Sequence, residues 1–168
     1  MSAGKTVQIT LRESTTQDQS WIKEFIRAAW GAELIVVHGD KFYPAELNAI
    51  IAERYGIPVG LATYFINTTS IEVVTLNSLT SGAGIGKKLI QSLINKAKNK
   101  AMERVWLITT NDNTSALTFY QKLGFHIIKL YPDAVSKSRE LKPEIPLTGE
   151  HGIPIRDEIE LEYRLTGH

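Results

Sequence analysis

A chain of 168 residues, 43% apolar and 22% charged, has the length and composition of one globular domain, which excludes an unstructured polymer. Nineteen basic against eighteen acidic residues leave a net charge of +1, far from the clustered excess that a phosphate backbone demands, so nucleic acid is excluded as a partner. Cysteine is absent, which removes disulfides, thiolate metal sites and cysteine nucleophiles together, and the four histidines at 38, 126, 151 and 168 have no metal-ligand spacing, so no metal is expected.

Residues 1–9 alternate polar and apolar side chains instead of forming a secretory h-region, and no run of eighteen apolar residues follows. A cytoplasmic protein without a membrane partner is expected. Val7, Ile9 and Leu11 predict a half-buried first strand, and Ser14, Thr15 and Thr16 supply N-cap candidates for a helix reaching about Trp30, with Trp21, Ile22, Phe25 and Ile26 on its apolar face. A second strand is read at 34–37. The stretch 38–47, broken by glycine and proline, reads as irregular and as a candidate substrate mouth, with His38 and Tyr43 as weak candidates for acceptor contact.

Runs 49–53 and 59–66, separated by Tyr55-Gly56-Ile57-Pro58, read as a hairpin, and 71–76 as a fifth strand. Ile85, Leu89, Leu93, Ala97 and Ala101 then recur every fourth residue, which fits an amphipathic helix, and 105–109 is a short apolar strand. Strand, glycine turn, helix and strand make one βαβ unit with parallel strands. A helix at 114–123 ending on Gly124 and a strand at 125–130 follow. Prolines at 132, 143, 146 and 154 predict a long loop before a last strand through Ile159, Leu161 and Tyr163. Residues 1–168 thus read as one domain, with 131–168 a proline-rich extension ending in a strand. Glu158, Glu160 and Glu162 share one face of that strand, where they either attract a cationic amine or form a solvated edge, the latter being preferred.

The turn Gly82-Ala83-Gly84-Ile85-Gly86-Lys87 lies where a strand meets a helix, so free N–H groups and the positive end of the helix dipole converge on it. Glycines there let several amides point at one pyrophosphate. The spacing fails two better-known loops: Gly82 and Gly86 are too close for a Walker loop, which also lacks its hydroxyl at Lys88, and Gly84 and Gly86 are too close for the dinucleotide fingerprint.

The run Leu76-Asn77-Ser78-Leu79-Thr80-Ser81-Gly82-Ala83-Gly84-Ile85-Gly86-Lys87-Lys88-Leu89-Ile90 resembles the acyl-CoA motif of the GNAT superfamily of N-acetyltransferases, with Ser81 where that motif carries Arg or Gln. Asn113, Ala116, Tyr120, Gly124 and Phe125 follow in the order of the family's second motif. The resemblance implies an α/β fold with a mixed, mostly antiparallel sheet around a central parallel βαβ unit, splayed to admit acyl-CoA, with helices on both faces. It implies acetyl-CoA as co-substrate and transfer of its acetyl group to a small amine or peptide amine by direct attack in a ternary complex. The oligomeric state stays open, a homodimer included. By the same resemblance, amides of 81–87 hold the pyrophosphate, main chain at Leu76, Asn77 and Ser78 pairs with the pantetheine arm, and Asn113 and Ala116 border the cofactor, Asn113 having an N-cap role as its alternative. Glu72 is the candidate base and Tyr120 the candidate proton donor to the leaving thiolate; their plain alternatives are a surface carboxylate and a packed core aromatic. A non-catalytic acyl-CoA sensor on the same fold is the rival reading.

Overall fold

The computed structural model describes residues 8–80 and 82–165. Ile9–Glu13 forms β1, and Asp18 then bonds back to the Thr15 N–H at 2.8 Å to start the turn that leads into α1, Gln19–Trp30. Val7 and Ser81 lie outside the described residues. Six more strands and three more helices carry the frame: β4 (Asn48–Arg54), β5 (Ile57–Ile66), β6 (Ser70–Ser78), α2 (Ile85–Asn99), β7 (Arg104–Thr110), α3 (Thr114–Lys122), β8 (His126–Tyr131), α4 (Val135–Leu141) and β9 (Glu158–Arg164). Between α1 and β4, Ile35–Val37 (β2) and Asp40–Phe42 (β3) form a separate two-stranded ribbon.

The main sheet runs β1-β4-β5-β6-β7-β9-β8, and β6 with β7 is its one parallel pair among the described residues. On one face, Leu89, Ile90 and Leu93 of α2 and Tyr120 of α3 pack with Ile71, Val105 and Leu161; on the other, Ile22 and Ile26 of α1 pack with Ile35, Ile51 and Leu61. The fold is therefore the mixed, mostly antiparallel α/β sheet with helices on both faces that the sequence predicts. None of the described helices is long and apolar enough to cross a membrane.

Three expectations are corrected. The stretch 38–47 is not irregular: His38 and Gly39, both with positive φ (50° and 79°), make a two-residue turn between β2 and β3, and Pro44–Glu46 is a 3-10 turn, so six strands precede the glycine turn. The proline-rich extension is not one long loop, because α4 fits between Pro132 and Pro143. Finally, β9 is not an edge. It inserts between β7 and β8, which buries Glu158 and Glu160 and leaves them 4% and 8% exposed.

Two irregularities at the centre of the sheet position everything that follows. Pairing of β6 with β7 stops after Ser70↔Arg104, Ile71↔Val105 and Glu72↔Trp106, although both strands continue, so 73–78 and 107–110 diverge. Across from β5, Thr63 faces Thr75 while Tyr64 faces Val73, which leaves Val74 as the extra residue of a bulge. The bulge breaks the alternation that groups Glu72, Val74 and Leu76 on one face: Val74 packs toward α1, and Leu76 toward α2.

Candidate active site

The divergence of β6 from β7 opens directly beside the start of α2. There Gly82 and Gly84 have φ of 79° and 67°, the left-handed region that a side chain disfavours, and Gly84 is the N-cap of the helix. The first bonded amide is that of Lys88, which donates to the Gly84 carbonyl at 3.0 Å; among the described residues no carbonyl accepts from the N–H groups of 82–87. A run of amides at the positive end of a fifteen-residue helix has the geometry of an anion cradle. Gly60 on β5 explains how this helix start comes so near the sheet, because a Cβ there would collide with Ile85 Cγ2 and lie 3.2 Å from Leu89 Cδ1. Gly86 plays the same part toward α3, with Phe119 Cζ 3.2 Å from where its Cβ would be. Sequence reasoning missed Gly60, whose only signal is a lone glycine inside a strand.

Between the diverging strands lies a cavity of about 310 Å³, lined by Val73, Leu76, Leu107, Asn113, Ala116 and Tyr120 among others. The structure thus brings together Leu76, Asn113, Ala116 and Tyr120. Asn77 and Ser78 continue β6 from that cavity toward the glycine turn; Asn77 Oδ1 accepts from Trp30 Nε1 at 3.3 Å, and the Ser78 hydroxyl donates to the Thr80 carbonyl at 2.6 Å. Asn113 is the N-cap of α3, its Oδ1 accepting from the Ala116 N–H at 3.1 Å, so its side chain is already engaged while it borders the cavity. Tyr120 is buried, edge-on to Phe119 and Phe125, and burial pushes its phenol well above the usual range.

A second cavity of about 420 Å³ lies on the α1 side and shares Trp30, Val74, Ile108, Thr109 and Asn113 with the first, so the two meet where the sheet splits. Its far wall comes from α4 and the extension after it, through Val135, Ser138, Ile145, Pro146 and Ile155. Arg139 fastens this wall, donating to the carbonyls of Pro146 and Ile155 at 2.8 and 2.6 Å. Asn111 fastens the strand side, with its amide on the Pro154 carbonyl at 2.9 Å and its oxygen on the N–H groups of Arg156 and Asp157 at 3.0 Å. The role of the extension, illegible in sequence, is to enclose this cavity. Glu158 borders it. Neither His38 nor Tyr43 does: the His38 N–H donates to Glu158 Oε2 at 2.9 Å and its ring packs on Tyr131, and Tyr43 is exposed.

Glu72 is no surface carboxylate. It is 8% exposed, and its pKa is pushed up to about 7 by burial, then by the nearby charges of Asp40 and Glu160, against a smaller opposing effect of Arg104. Arg104 is held by Glu160 and Glu162 at 2.9 and 3.0 Å, and the Tyr131 hydroxyl donates to Glu160 at 2.8 Å. Glu72 lines neither cavity, standing one strand pair before the split. Asp40 and Arg104, which tune it, were not singled out in sequence because they come from strands distant in the chain.

The sequence model of the Acetyltransferase (GNAT) family matches residues 13–125 of the chain. Uncharacterized protein YdhI of Bacillus subtilis (strain 168) is 40% identical over 139 residues, spanning 82% of this chain and 87% of its own. Among solved structures, an IAA acetyltransferase from Bacillus cereus ATCC 14579 superposes with a TM-score of 0.68 at 23% identity, covering 94% of this chain and 100% of that one. A GNAT family acetyltransferase from Elizabethkingia anophelis with acetyl-CoA bound gives 0.66 at 21% identity, covering 94% and 98%. At these identities the two solved structures establish likeness of fold.

Proposed function

Since this chain belongs to the Acetyltransferase (GNAT) family and is an acyltransferase by that membership, we propose that it passes the acetyl group of acetyl-CoA to a primary amine by direct attack in a ternary complex. The observation that carries this reading is the opening of the sheet beside the amides of 82–87. The diphosphate of acetyl-CoA binds those amides, and the pantetheine arm threads between β6 and β7 along Leu76, Asn77 and Ser78. The thioester then sits in the first cavity between Tyr120, which lines it, and the residues through which the two cavities meet. The solved relative with acetyl-CoA bound supports this choice of co-substrate.

An alkylamine with a pKa of about 10.4 costs roughly 4.6 kcal/mol to hold neutral at pH 7, so its proton needs a destination. Glu72 is that destination, reached through water because it borders neither cavity. The neutral nitrogen attacks the thioester carbonyl, the C–N bond forms and the C–S bond breaks. The departing thiolate takes a proton from the Tyr120 hydroxyl, and the second proton, which the nitrogen sheds as the amide forms, passes to solvent, from which the phenol is reprotonated. Titration calorimetry with acetyl-CoA, NAD and ATP tests the premise: wild type should bind acetyl-CoA alone of the three, and Gly84→Glu, which drives a carboxylate into the cradle, should abolish that binding. Unaltered acetyl-CoA affinity in Gly84→Glu would sink the assignment of the pyrophosphate to this turn.

A further inference from the structure

Of the buried acids that the reaction above leaves unused, Asp112, Glu158 and Glu160, Glu158 is the one with an unpartnered oxygen among the described residues. It is 4% exposed, on the first residue of β9, opposite Thr110 of β7 and Tyr131 of β8. Its Oε2 is satisfied by the His38 N–H at 2.9 Å. Its Oε1 is buried with no hydrogen-bond partner among the described residues, and the nearest cationic candidate, His38 Nδ1, is 3.9 Å away, too far to bond. A buried carboxylate with one orphan oxygen is costly unless a donor reaches it. The cavity it borders has an apolar wall of Ile35, Val37, Ile108, Val135 and Ile155. Lys142, the cation of that cavity, gives its ammonium to the Leu34 carbonyl at 3.0 Å and forms no ion pair with Glu158 among the described residues, while exposed Glu144 adds a second negative charge.

We propose that Glu158 recognises the acceptor: its side chain, which lines the cavity between α1, β2 and α4, turns its unpartnered and now enclosed Oε1 toward the ammonium of a primary alkylamine whose apolar body fills that cavity. This inference rests on the acetyl-transfer reading for where the amine goes next, since Trp30, Val74, Ile108, Thr109 and Asn113 join that cavity to the one assigned to the thioester. The chemistry selects a class. Volume of about 420 Å³ encloses a small molecule, the orphan oxygen asks for a donor, and its negative charge favours a cationic donor over a neutral one. An acceptor with a carboxylate beside its amine would meet repulsion from Glu158, which disfavours free α-amino acids. Burial raises the Glu158 pKa, consistent with an oxygen that lacks a counter-charge until the amine arrives.

Phenethylamine and its uncharged isostere 2-phenylethanol are the probes, each titrated calorimetrically into wild-type protein with and without CoA. Wild type should bind the amine at least tenfold more tightly than the alcohol. Equal affinities, or no binding of the amine, would overturn the proposal without reference to any variant. Glu158→Gln keeps an oxygen for the His38 N–H and the shape of the side chain but removes the charge; it should bring the amine-to-alcohol preference to within about twofold of unity and raise the KM for phenethylamine at least tenfold, with acetyl-CoA affinity within twofold of wild type. Preference retained in Glu158→Gln would sink the role of its charge, and selective use of an acidic peptide or an α-amino acid in a thiol-release assay would sink the acceptor class. Failure of wild type to bind acetyl-CoA, with amine preference intact, would instead remove the transfer reading and leave the amine site standing.

Discussion

Tyr120 and Glu72 differ in what burial does for them. The phenol, raised by desolvation alone, stays protonated over the working pH range, which is the form the proposed transfer to the thiolate requires. Tyr120→Phe should lower kcat by about 10²-fold while leaving the acetyl-CoA Kd within twofold, read by single-turnover thiol release and calorimetry. The carboxyl, raised to about 7, must be ionised to accept a proton, so kcat/KM should climb as pH rises through 7, and Glu72→Gln should flatten that limb. Stability runs in the opposite direction. A folded carboxyl with a raised pKa holds its proton where the unfolded chain has already lost it, so the fold loses stability between the ordinary carboxylate range and about pH 7. Glu72→Gln should therefore raise Tm at pH 8 and change it little at pH 4, measured by thermal melts at both. Sequence named Glu72 as a candidate, but not its burial; the Val74 bulge shifted the face, and the acids around it, Asp40 and Glu160, arrive from strands far along the chain.

At the scale of elements, legibility followed length and repetition. The fifteen residues of α2 repeat their apolar spacing often enough to declare a helix, and the glycines before it marked the turn at which it starts. β2 was read at 34–37, but β3, three residues long, carries no period, and α4, seven residues between two prolines, was hidden by its flanks. Gly60 was equally silent because its reason lies in another element. Gly60→Ala should push the first turn of α2 off the sheet, since the new methyl meets Ile85 Cγ2, costing about 1–3 kcal/mol of stability and weakening acetyl-CoA binding; melts and calorimetry check both. A variant with unchanged Tm and Kd would show that the helix relaxes without cost.

Over the whole molecule, β1, β4, β5 and β6 form one half of the sheet and β7, β9 and β8 the other, joined edge to edge by only three residue pairs. A ligand spanning 82–87 and the cavity between the halves would bind only the assembled arrangement. At one hundred times its Kd, acetyl-CoA should contribute about 2.7 kcal/mol, which for a chain of 168 residues is a rise in Tm of roughly 5–10 °C, observable by differential scanning fluorimetry. An absent shift would count against ligation across the split. The same short seam has a mechanical meaning. β1 near the start of the chain and β9 near its end lie in opposite halves, so tension applied at the two termini loads the short parallel pairing crosswise. Under an optical trap the protein should yield first along that line, peeling into two ribbons tethered by α2, and its rupture force should increase once acetyl-CoA stitches the halves together.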